Sequence, residues 1–239
     1  MTTVYLIRHG QASLGADDYD RLSPLGHQQA QHLGRVLKPR FDPTGSGGAG
    51  LDGTAAVRSG SLRRQQETAE ALAAALPDAA RCTPDTCWNE YDHLELIARY
   101  RPEWRDPRAL RAALAAMAEP HREFQRHYEA ALSRWAGGRH DSDYRESWST
   151  FRDRAAAALA SLSAAPHGGT QLVLTSGGLI AAAVCAVLEL SSDHWLRLNR
   201  VIANASLTKL RHGRNGWHLL SFNDHSHFEP PHHDLLTYR

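Results

Sequence analysis

Short apolar runs alternate along this chain with longer stretches in which apolar residues recur at helical spacing. Runs that predict buried strands lie at residues 4–7, 55–57, 172–174, 205–210 and 217–222. Periodic stretches that predict helices lie at residues 24–37, 62–76, 106–135, 151–162 and 179–190. Strands that alternate with helices favour an α/β fold, and we expect a three-layer αβα sandwich with a mainly parallel central sheet.

Prolines, serines and glycines mark where several of these elements begin and end. Ser23 is a typical N-cap and Pro24 a typical first helical residue, whereas Pro39 predicts the end of the same helix. The glycine-rich stretch 42–53 predicts a surface loop. It lacks the Gly-Lys-Ser/Thr ending of a phosphate-binding P-loop, so we assign it no phosphate role.

The periodic stretch around residues 106–135 is longer than a simple connection between a strand and a helix needs. We therefore expect a single domain across residues 1–239, with a helical insertion at about residues 95–150 that roofs one edge of the sheet. The aromatic residues of this region either line the roof or pack in its own core. They are Tyr91, Tyr100, Trp104, Tyr128 and Trp135.

Composition argues against several partners and compartments. Lys and Arg number 27 against 26 Asp and Glu, so no global field favours nucleic acid or an acidic membrane. The three cysteines lack CxxC spacing, which argues against a disulfide framework and a cysteine zinc site.

The apolar stretch 172–190 approaches membrane-spanning length, but Thr-Ser-Gly-Gly at 175–178 divides it into a strand and a helix. The first residues show no leader pattern, so we expect a cytoplasmic protein.

Candidate chemistry begins where the first strand ends, in Arg8-His9-Gly10-Gln11. Gly10 allows a sharp turn, and in open α/β sheets ligands bind at the carboxyl ends of the strands. Arg8 offers a planar fork of donors for an oxyanion, and His9 offers a nitrogen nucleophile that is neutral near pH 7. An Arg-His pair also occurs as packed or solvated residues, so it is informative only together with later clusters.

Two later clusters carry related chemistry. Arg64 lies in the first turn of the helix that follows the second strand, where backbone amides and the helix dipole favour an anion. Glu90 lies in a loop, and it can serve as a general acid if burial raises its pKa. The alternatives are a solvated basic helix start for Arg64 and a solvated carboxylate for Glu90.

Taken together and in this order, the clusters resemble the histidine phosphatase superfamily, in its phosphoglycerate-mutase-like branch. The opening motif, Leu-Ile-Arg-His-Gly-Gln at residues 6–11, is specific at this position. The other segments that carry the resemblance are residues 22–30, 61–69, 89–90, 172–180, 204–206 and 223–224. The resemblance therefore extends over almost the whole chain.

This resemblance implies a role for each candidate residue. His9 attacks phosphorus and forms a phosphohistidine, while its second ring nitrogen donates to a backbone carbonyl. Arg8, Arg64 and Gln11 bind the phosphate oxygens, where charge gathers during phosphoryl transfer. Glu90 protonates the leaving oxygen and later activates water. The reaction so implied needs neither a metal nor another cofactor.

One position departs from the family pattern. Ser176 stands where the family has a second histidine before the Gly-Gly of the late strand. Its hydroxyl is a candidate phosphate donor but carries no charge, which predicts activity lower by about 30- to 150-fold. His93, three residues after Glu90, is a candidate substitute imidazole. The alternative for His93 is an ordinary surface or packing residue.

A histidine-rich segment follows the last predicted strand and suggests a metal site. Its histidines are His225, His227, His232 and His233. Their spacing fits no defined site and prolines interrupt the segment, so we expect a solvated, irregular tail and no metal.

The favoured function is a phosphatase that hydrolyses a small phosphomonoester. Gln-Ala-Ser-Leu at residues 11–14 replaces the longer pattern of the mutases, which favours hydrolysis over transfer. The alternatives are a phosphoglycerate-type mutase, which needs a phosphorylated cofactor, and a phosphate-binding regulatory or scaffold protein. The expected partner is a small phosphorylated substrate or phosphate, with no nucleic acid and no membrane. The oligomeric state stays open.

Overall fold

A mixed sheet lies at the centre of the computed structural model, which describes residues 1–13, 20–41, 56–76, 82–163 and 169–238. Six strands within these ranges form the sheet in the order β3-β2-β4-β1-β5-β6. They are β1 (Thr2–Arg8), β2 (Ala56–Ser59), β3 (Thr83–Pro84), β4 (Thr170–Thr175), β5 (Leu207–Gly213) and β6 (Gly216–Asp224). Strands β1 to β4 run parallel, whereas β5 runs antiparallel to both of its neighbours.

Helices cover both faces of this sheet. The described ranges contain eight: α1 (Pro24–Phe41), α2 (Arg63–Ala73), α3 (His93–Tyr100), α4 (Pro107–Ala115), α5 (Pro120–Ala136), α6 (Trp148–Ser163), α7 (Gly177–Leu188) and α8 (Ser192–Val201). Strand residues alternate between two cores because successive side chains point to opposite faces. In β1, Val4 and Leu6 pack with α5, α6 and α7, whereas Tyr5 and Ile7 pack with α1 and α2. The predicted three-layer sandwich with a mainly parallel sheet is confirmed.

The carboxyl ends of β1, β2 and β4 lie side by side and place three turns at one edge of the sheet. Arg8 is in register with Thr175 at the end of β1 and β4. Backbone hydrogen bonds continue past the strands: His9 N–H donates to the Thr175 carbonyl over 2.9 Å, and Gly60 N–H to the Leu174 carbonyl over 3.0 Å. The turns that carry the candidate residues are therefore anchored to the central strands.

Helix boundaries and one whole helix differ from the sequence prediction. Ser23 does cap α1, since its Oγ accepts from Gly26 N–H over 3.0 Å, but α1 continues through Pro39 to Phe41. The predicted end before Pro39 is wrong because a proline in the last turn removes only one hydrogen bond. Helix α8 was not predicted, and within it only Trp195 is buried, so its apolar signal is weak. The glycine-rich stretch 42–53 lies outside the described residues.

The long apolar stretch 172–190 is a buried strand followed by a core helix, as predicted. Strand β4 ends at Thr175 and helix α7 begins at Gly177, so the backbone changes direction at Ser176. Every residue of β4 is buried, and the first nine residues of α7 are buried as well. Among the helices described, none is long and apolar enough to cross a membrane.

The segment after β6 is irregular, as predicted, but it is packed against the body of the fold. Phe228 and Leu235 are buried in the core shared with α1 and α2. His227 lies 4.1 Å from Phe228 between ring centroids, and burial lowers the pKa of His227 to about 4. The predicted solvated tail therefore holds for the exposed His232 and His233 and is wrong for His227. Among the described residues, no group of His, Cys, Asp or Glu side chains is arranged to hold a metal ion.

Candidate active site

His9 follows directly after β1 and is held in one tautomer. Its side chain is almost fully buried, with 6% of the residue surface exposed. Nδ1 lies 2.7 Å from the Gly10 carbonyl, and Nε2 lies 3.2 Å from Nε of Arg64. A carbonyl only accepts and a guanidinium only donates, so the proton is on Nδ1 and the lone pair is on Nε2. The ring thus presents an unprotonated nitrogen beside a cation.

The backbone at this turn leaves no room for a side chain at Gly10. A Cβ there would overlap the backbone of Gly26 at the start of α1. The Gly10 N–H donates to Thr68 Oγ1 in α2 over 3.1 Å. The close approach of α1, together with this bond to α2, fixes the direction in which His9 leaves the strand.

The surroundings of His9 keep its imidazole neutral. Burial is the largest cause that lowers the pKa of His9 well below its usual value, followed by the charges of Arg64 and Arg8. The hydrogen bond to Gly10 acts in the opposite direction and is weaker. A neutral imidazole with a bare Nε2 is the form that attacks an electrophile.

Arg64 lies in the first turn of α2 and is buried, with 6% of its surface exposed. Besides its contact with His9, its Nη1 forms an ion pair with Asp20. The second carboxylate oxygen of Asp20 accepts from Arg63 N–H over 2.8 Å, so one aspartate caps the helix start and orients the arginine. The alternative of a solvated helix start therefore does not apply to Arg64.

Arg8 is held by two backbone carbonyls, one after helix α8 and one at the end of the described residues. Its Nη1 donates to the carbonyl of Ile202 and, over 2.8 Å, to the carbonyl of Tyr238. Both carbonyls carry partial negative charge and leave the guanidinium positive. Arg64 thus lies at Nε2 of His9, and the charges of Arg64 and Arg8 both lower the pKa of the ring.

Glu90 reaches the same site from the loop before α3. Its Oε2 accepts from Gly178 N–H over 2.9 Å, and its Oε1 accepts from Tyr91 N–H over 3.3 Å. Burial raises the pKa of Glu90, although the Gly178 hydrogen bond and the charge of Arg64 oppose the change. A Cβ on Gly178 would overlap this carboxylate, so the glycine is what allows its close approach. Two backbone N–H groups fix the position of the carboxyl group, and its raised pKa allows it to exchange a proton.

A chain of buried amide and hydroxyl groups ties the His9 turn to the segment 235–238. Asn204 Nδ2 donates to the His9 carbonyl over 3.1 Å, and Thr237 Oγ1 donates to Asn204 Oδ1 over 3.0 Å. Gln29 Nε2 donates to Thr237 Oγ1 over 2.8 Å, and Gln29 Oε1 accepts from Gln11 N–H over 2.8 Å. Sequence reasoning included Asn204 and Gln29 only as parts of motifs and missed Thr237, which carries no local signal.

Ser176 and Gln11 have structural partners and do not line the cavity that contains His9. Ser176 is 1% exposed, and its Oγ accepts from Gln65 Nε2 over 2.8 Å. Gln65 also donates to the Trp88 carbonyl over 3.2 Å, so it joins β4 to the Glu90 loop. Gln11 Oε1 accepts from Ser23 Oγ over 2.8 Å. Sequence reasoning missed Gln65, although it lies within the quoted segment 61–69.

His93 begins α3 and lies in the wall of the same cavity as His9, Arg64 and Glu90. Burial and the charge of Arg64 lower the pKa of His93, whereas Asp92 and Asp20 act in the opposite direction. The charge of Arg64 therefore acts on the imidazole of His93, and both side chains line this cavity. His93 therefore lines the pocket instead of being an ordinary surface residue.

The cavity has a volume of about 350 Å³ and two different ends. One end is formed by His9 and the charged and polar residues around it, and the other by helices α3 to α5. The apolar and aromatic residues of the second end are Leu94, Ile97, Leu110, Phe124 and Tyr128. Of the aromatic residues considered from sequence, Tyr91 and Tyr128 line the cavity, whereas Trp104 and Trp135 are buried core residues.

Comparisons with known proteins agree with this geometry. No curated protein matches the sequence. Among solved structures, Bacillus stearothermophilus YhfR is 21% identical, with 96% of this chain and 100% of that chain covered and a TM-score of 0.65. A phosphoserine phosphatase from Entamoeba histolytica in complex with phosphoserine is 19% identical, with 95% and 99% covered and a TM-score of 0.64. A mycobacterial glucosyl-3-phosphoglycerate phosphatase with inorganic phosphate is 23% identical, with 95% and 99% covered and a TM-score of 0.58.

These structural similarities establish the fold. The family is identified by a separate comparison of the sequence with models of protein families. The model of the histidine phosphatase superfamily (branch 1) matches residues 4–116 and 111–225. The match includes the His9 turn, Arg64 and Glu90, and it extends over most of the chain. Because this model matches most of its length, the chain belongs to branch 1 of the histidine phosphatase superfamily.

Proposed function

We propose that this protein is a phosphatase that hydrolyses small phosphomonoesters through a phosphohistidine on His9. The observation that carries the proposal is the state of the His9 ring: Nδ1 is bound to Gly10, and Nε2 is unprotonated beside Arg64. An imidazole held in this way is a nucleophile, and two arginines beside it suit a dianionic electrophile. The phosphatases among the similar structures support the same reaction class.

In the first step, the Nε2 lone pair of His9 attacks phosphorus and the bond from phosphorus to the ester oxygen breaks. Glu90, in its protonated form, gives its proton to the departing oxygen, so a neutral alcohol leaves. Arg8 and Arg64 pair with the phosphoryl oxygens while charge develops on them. The raised pKa of Glu90 supports this role, because it increases the protonated fraction at mildly acidic pH.

In the second step, water attacks phosphorus and the bond from nitrogen to phosphorus breaks. Glu90 is now a carboxylate and accepts the proton of the attacking water, which restores its acid form. His9 regains its neutral state with the proton on Nδ1, and inorganic phosphate leaves. No step of this scheme requires a group beyond side chains that line the cavity.

We further propose that His93 donates a hydrogen bond to the phosphoryl group in place of the histidine that Ser176 replaces. His93 lines the cavity near Arg64, whereas Ser176 accepts from Gln65 away from the lining residues. A neutral imidazole supplies a donor without a full charge. The proposed enzyme is therefore slower than a homologue with a charged histidine, but active.

A quenched-flow assay with 4-nitrophenyl phosphate tests the proposal. The expected result is turnover, an acid-labile phosphoenzyme and loss of both in His9→Ala, with His218→Ala unchanged because His218 is exposed on β6 and does not line the cavity. Phosphate binding without turnover in the unaltered protein would instead identify a scaffold. Transfer of the phosphoryl group to added phosphoglycerate faster than to water would identify a mutase.

A further inference from the structure

The part of the cavity lining that comes from helices α3 to α5 is mostly apolar. Leu94 and Ile97 extend from α3, Leu110 from α4, and Phe124 and Tyr128 from α5. Three helices thus contribute to one apolar surface on the same side of the cavity. This surface is available to the group that a substrate carries beyond its phosphate.

The polar groups of this wall are engaged with one another. The hydroxyls of Tyr91 and Tyr128 form a hydrogen bond of 2.8 Å, and Asn199 Nδ2 donates to the Tyr91 hydroxyl over 3.4 Å. A ligand group that displaced these bonds would have to replace them. The wall therefore offers little compensation for a polar group that leaves water.

The charges that line the cavity are concentrated at the His9 end. Among the described lining residues, the arginines are Arg8 and Arg64, and both lie beside His9. Glu90 is the carboxylate of the lining, and it also lies at that end. A carboxylate on the organic part of a substrate would lose its water without gaining a cation, which is costly in an apolar site.

Resting on the proposed phosphatase function, we infer that the enzyme selects phosphate esters of uncharged, apolar alcohols and disfavours esters that carry a carboxylate. A volume of about 350 Å³ accommodates a phosphoryl group together with a ring or a branched alkyl chain. The ring contacts Leu94, Ile97 and Phe124 while the ester oxygen faces Glu90. This selection differs from that of the similar phosphoserine phosphatase, which was crystallised with phosphoserine.

Phosphate esters of different alkyl alcohols have leaving groups of similar reactivity. Differences in kcat/KM among them therefore report selection by the cavity. The values of kcat/KM are measured for methyl, 2-phenylethyl and glycerol 1-phosphates, and for phosphoserine and 3-phosphoglycerate. We expect 2-phenylethyl phosphate to exceed glycerol 1-phosphate by about tenfold and both carboxylate esters by about 100-fold. Equal or better turnover of the carboxylate esters would overturn the inference and leave the phosphatase function intact.

Variants of the wall provide a second test. Phe124→Ala should lower the ratio of kcat/KM for 2-phenylethyl phosphate to kcat/KM for methyl phosphate about tenfold. Leu94→Arg, at a residue that is 60% exposed at the cavity, should raise kcat/KM for 3-phosphoglycerate about tenfold. Leu220→Arg, at an exposed residue of β6 outside the cavity, is the matched control and should change neither substrate.

Affinity measurements keep the inference testable without turnover. The binding of 2-phenylethyl phosphate and 3-phosphoglycerate to His9→Ala is measured by calorimetry. At least tenfold tighter binding of 2-phenylethyl phosphate supports the inference, and equal or reversed affinities overturn it. If every ester is inert with the unaltered protein, the phosphatase function fails, and these affinities still decide which organic group the cavity prefers.

Discussion

The two ends of the cavity are built from different parts of the fold and are fixed in different ways. At the His9 end, side chains leave strand ends or a helix start and bond to backbone groups, as His9 does to Gly10 and Glu90 to Gly178. At the other end, helices α3 to α5 present apolar side chains, and Leu94 is 60% exposed. Directional hydrogen bonds set atomic positions, whereas apolar contacts set mainly volume and polarity. In the proposed function, the His9 end therefore determines the reaction, and the helical end determines which ester is preferred.

The largest expected effect is that of His9→Ala. Removal of the nucleophile should lower kcat for every ester by about 10⁴-fold or more, because no neighbouring group replaces a covalent step. Steady-state assays with methyl and 2-phenylethyl phosphates check this. A loss confined to one ester would show that the two ends do not divide their roles in this way.

Glu90→Gln should have the second-largest effect on kcat, and the size of the loss should depend on the leaving group of the ester. Alkyl esters should lose about 10²- to 10⁴-fold in kcat because their alkoxides need a proton. With 4-nitrophenyl phosphate the first step should persist while hydrolysis slows, so a burst of nitrophenol and a stable phosphoenzyme should appear. Equal losses for both kinds of ester would contradict the assignment of Glu90 as the acid.

His93→Ala should lower kcat by about 10- to 30-fold, whereas Ser176→Ala should lower it less than about threefold. His93 lines the cavity and Ser176 does not, so only the first should contact a phosphoryl group. Ser176→Ala should instead lower the melting temperature, because the buried Gln65 amide loses an acceptor. The opposite order of the two kcat losses would place the phosphate contact at Ser176.

The pH profile should show a mildly acidic optimum. The lowered pKa of His9 keeps the nucleophile neutral as pH falls below 6.5, so activity should decline only near that lowered pKa. The pKa of Glu90 is raised above its usual 4.5, so its acid form persists to higher pH. For alkyl esters, kcat should therefore decline only as pH rises through this raised pKa. On both the acidic and the alkaline limb of the pH profile, kcat should approach a change of about tenfold for each pH unit. Glu90→Gln should abolish the alkaline limb, and a limb that persists would belong to another group.

Thr237→Val should lower kcat only modestly, by more than Ser176→Ala but by less than the changes at His9, Glu90 and His93. Its hydroxyl links Gln29 to Asn204, which in turn holds the His9 carbonyl. Loss of one or two buried hydrogen bonds should loosen the turn and lower kcat about 3- to 10-fold, with KM for each ester nearly constant. Thr237→Ser keeps the hydroxyl and should restore kcat. Failure of this rescue would indicate that the threonine methyl group, rather than the bond, matters.

Much of the His9 end could be predicted from sequence because its residues follow short, local signals. Arg8 and His9 end an apolar run, and Arg64 begins a periodic stretch after another run. The partners of these residues could not be predicted, because the hydrogen bond from Arg8 to the Tyr238 carbonyl joins residues 230 positions apart. Pattern analysis at the level of one segment carries no information about such a contact.

The boundary at Pro39 and the packing of His227 show the same limit. A proline was expected to end α1, but the helix continues past Pro39 and the core contacts of Leu33 and Leu37 lie in the same helix. His227 looks polar and therefore solvated in sequence, yet it contacts buried Phe228. At His227 packing outweighed a local preference for solvent, whereas the helix continues past Pro39 because a proline in the last turn removes only one hydrogen bond.

The sequence by itself determined the α/β class, the turn that carries Arg8 and His9, and the positions of Arg64 and Glu90, because strand ends and helix starts are encoded locally. Only the tertiary structure decided the tautomer of His9, the presence of His93 in the cavity and the structural role of Ser176. Only it brought the apolar wall of α3 to α5 into the same cavity as the cations. These properties depend on burial and on distances between remote segments, and neither exists until the chain has folded.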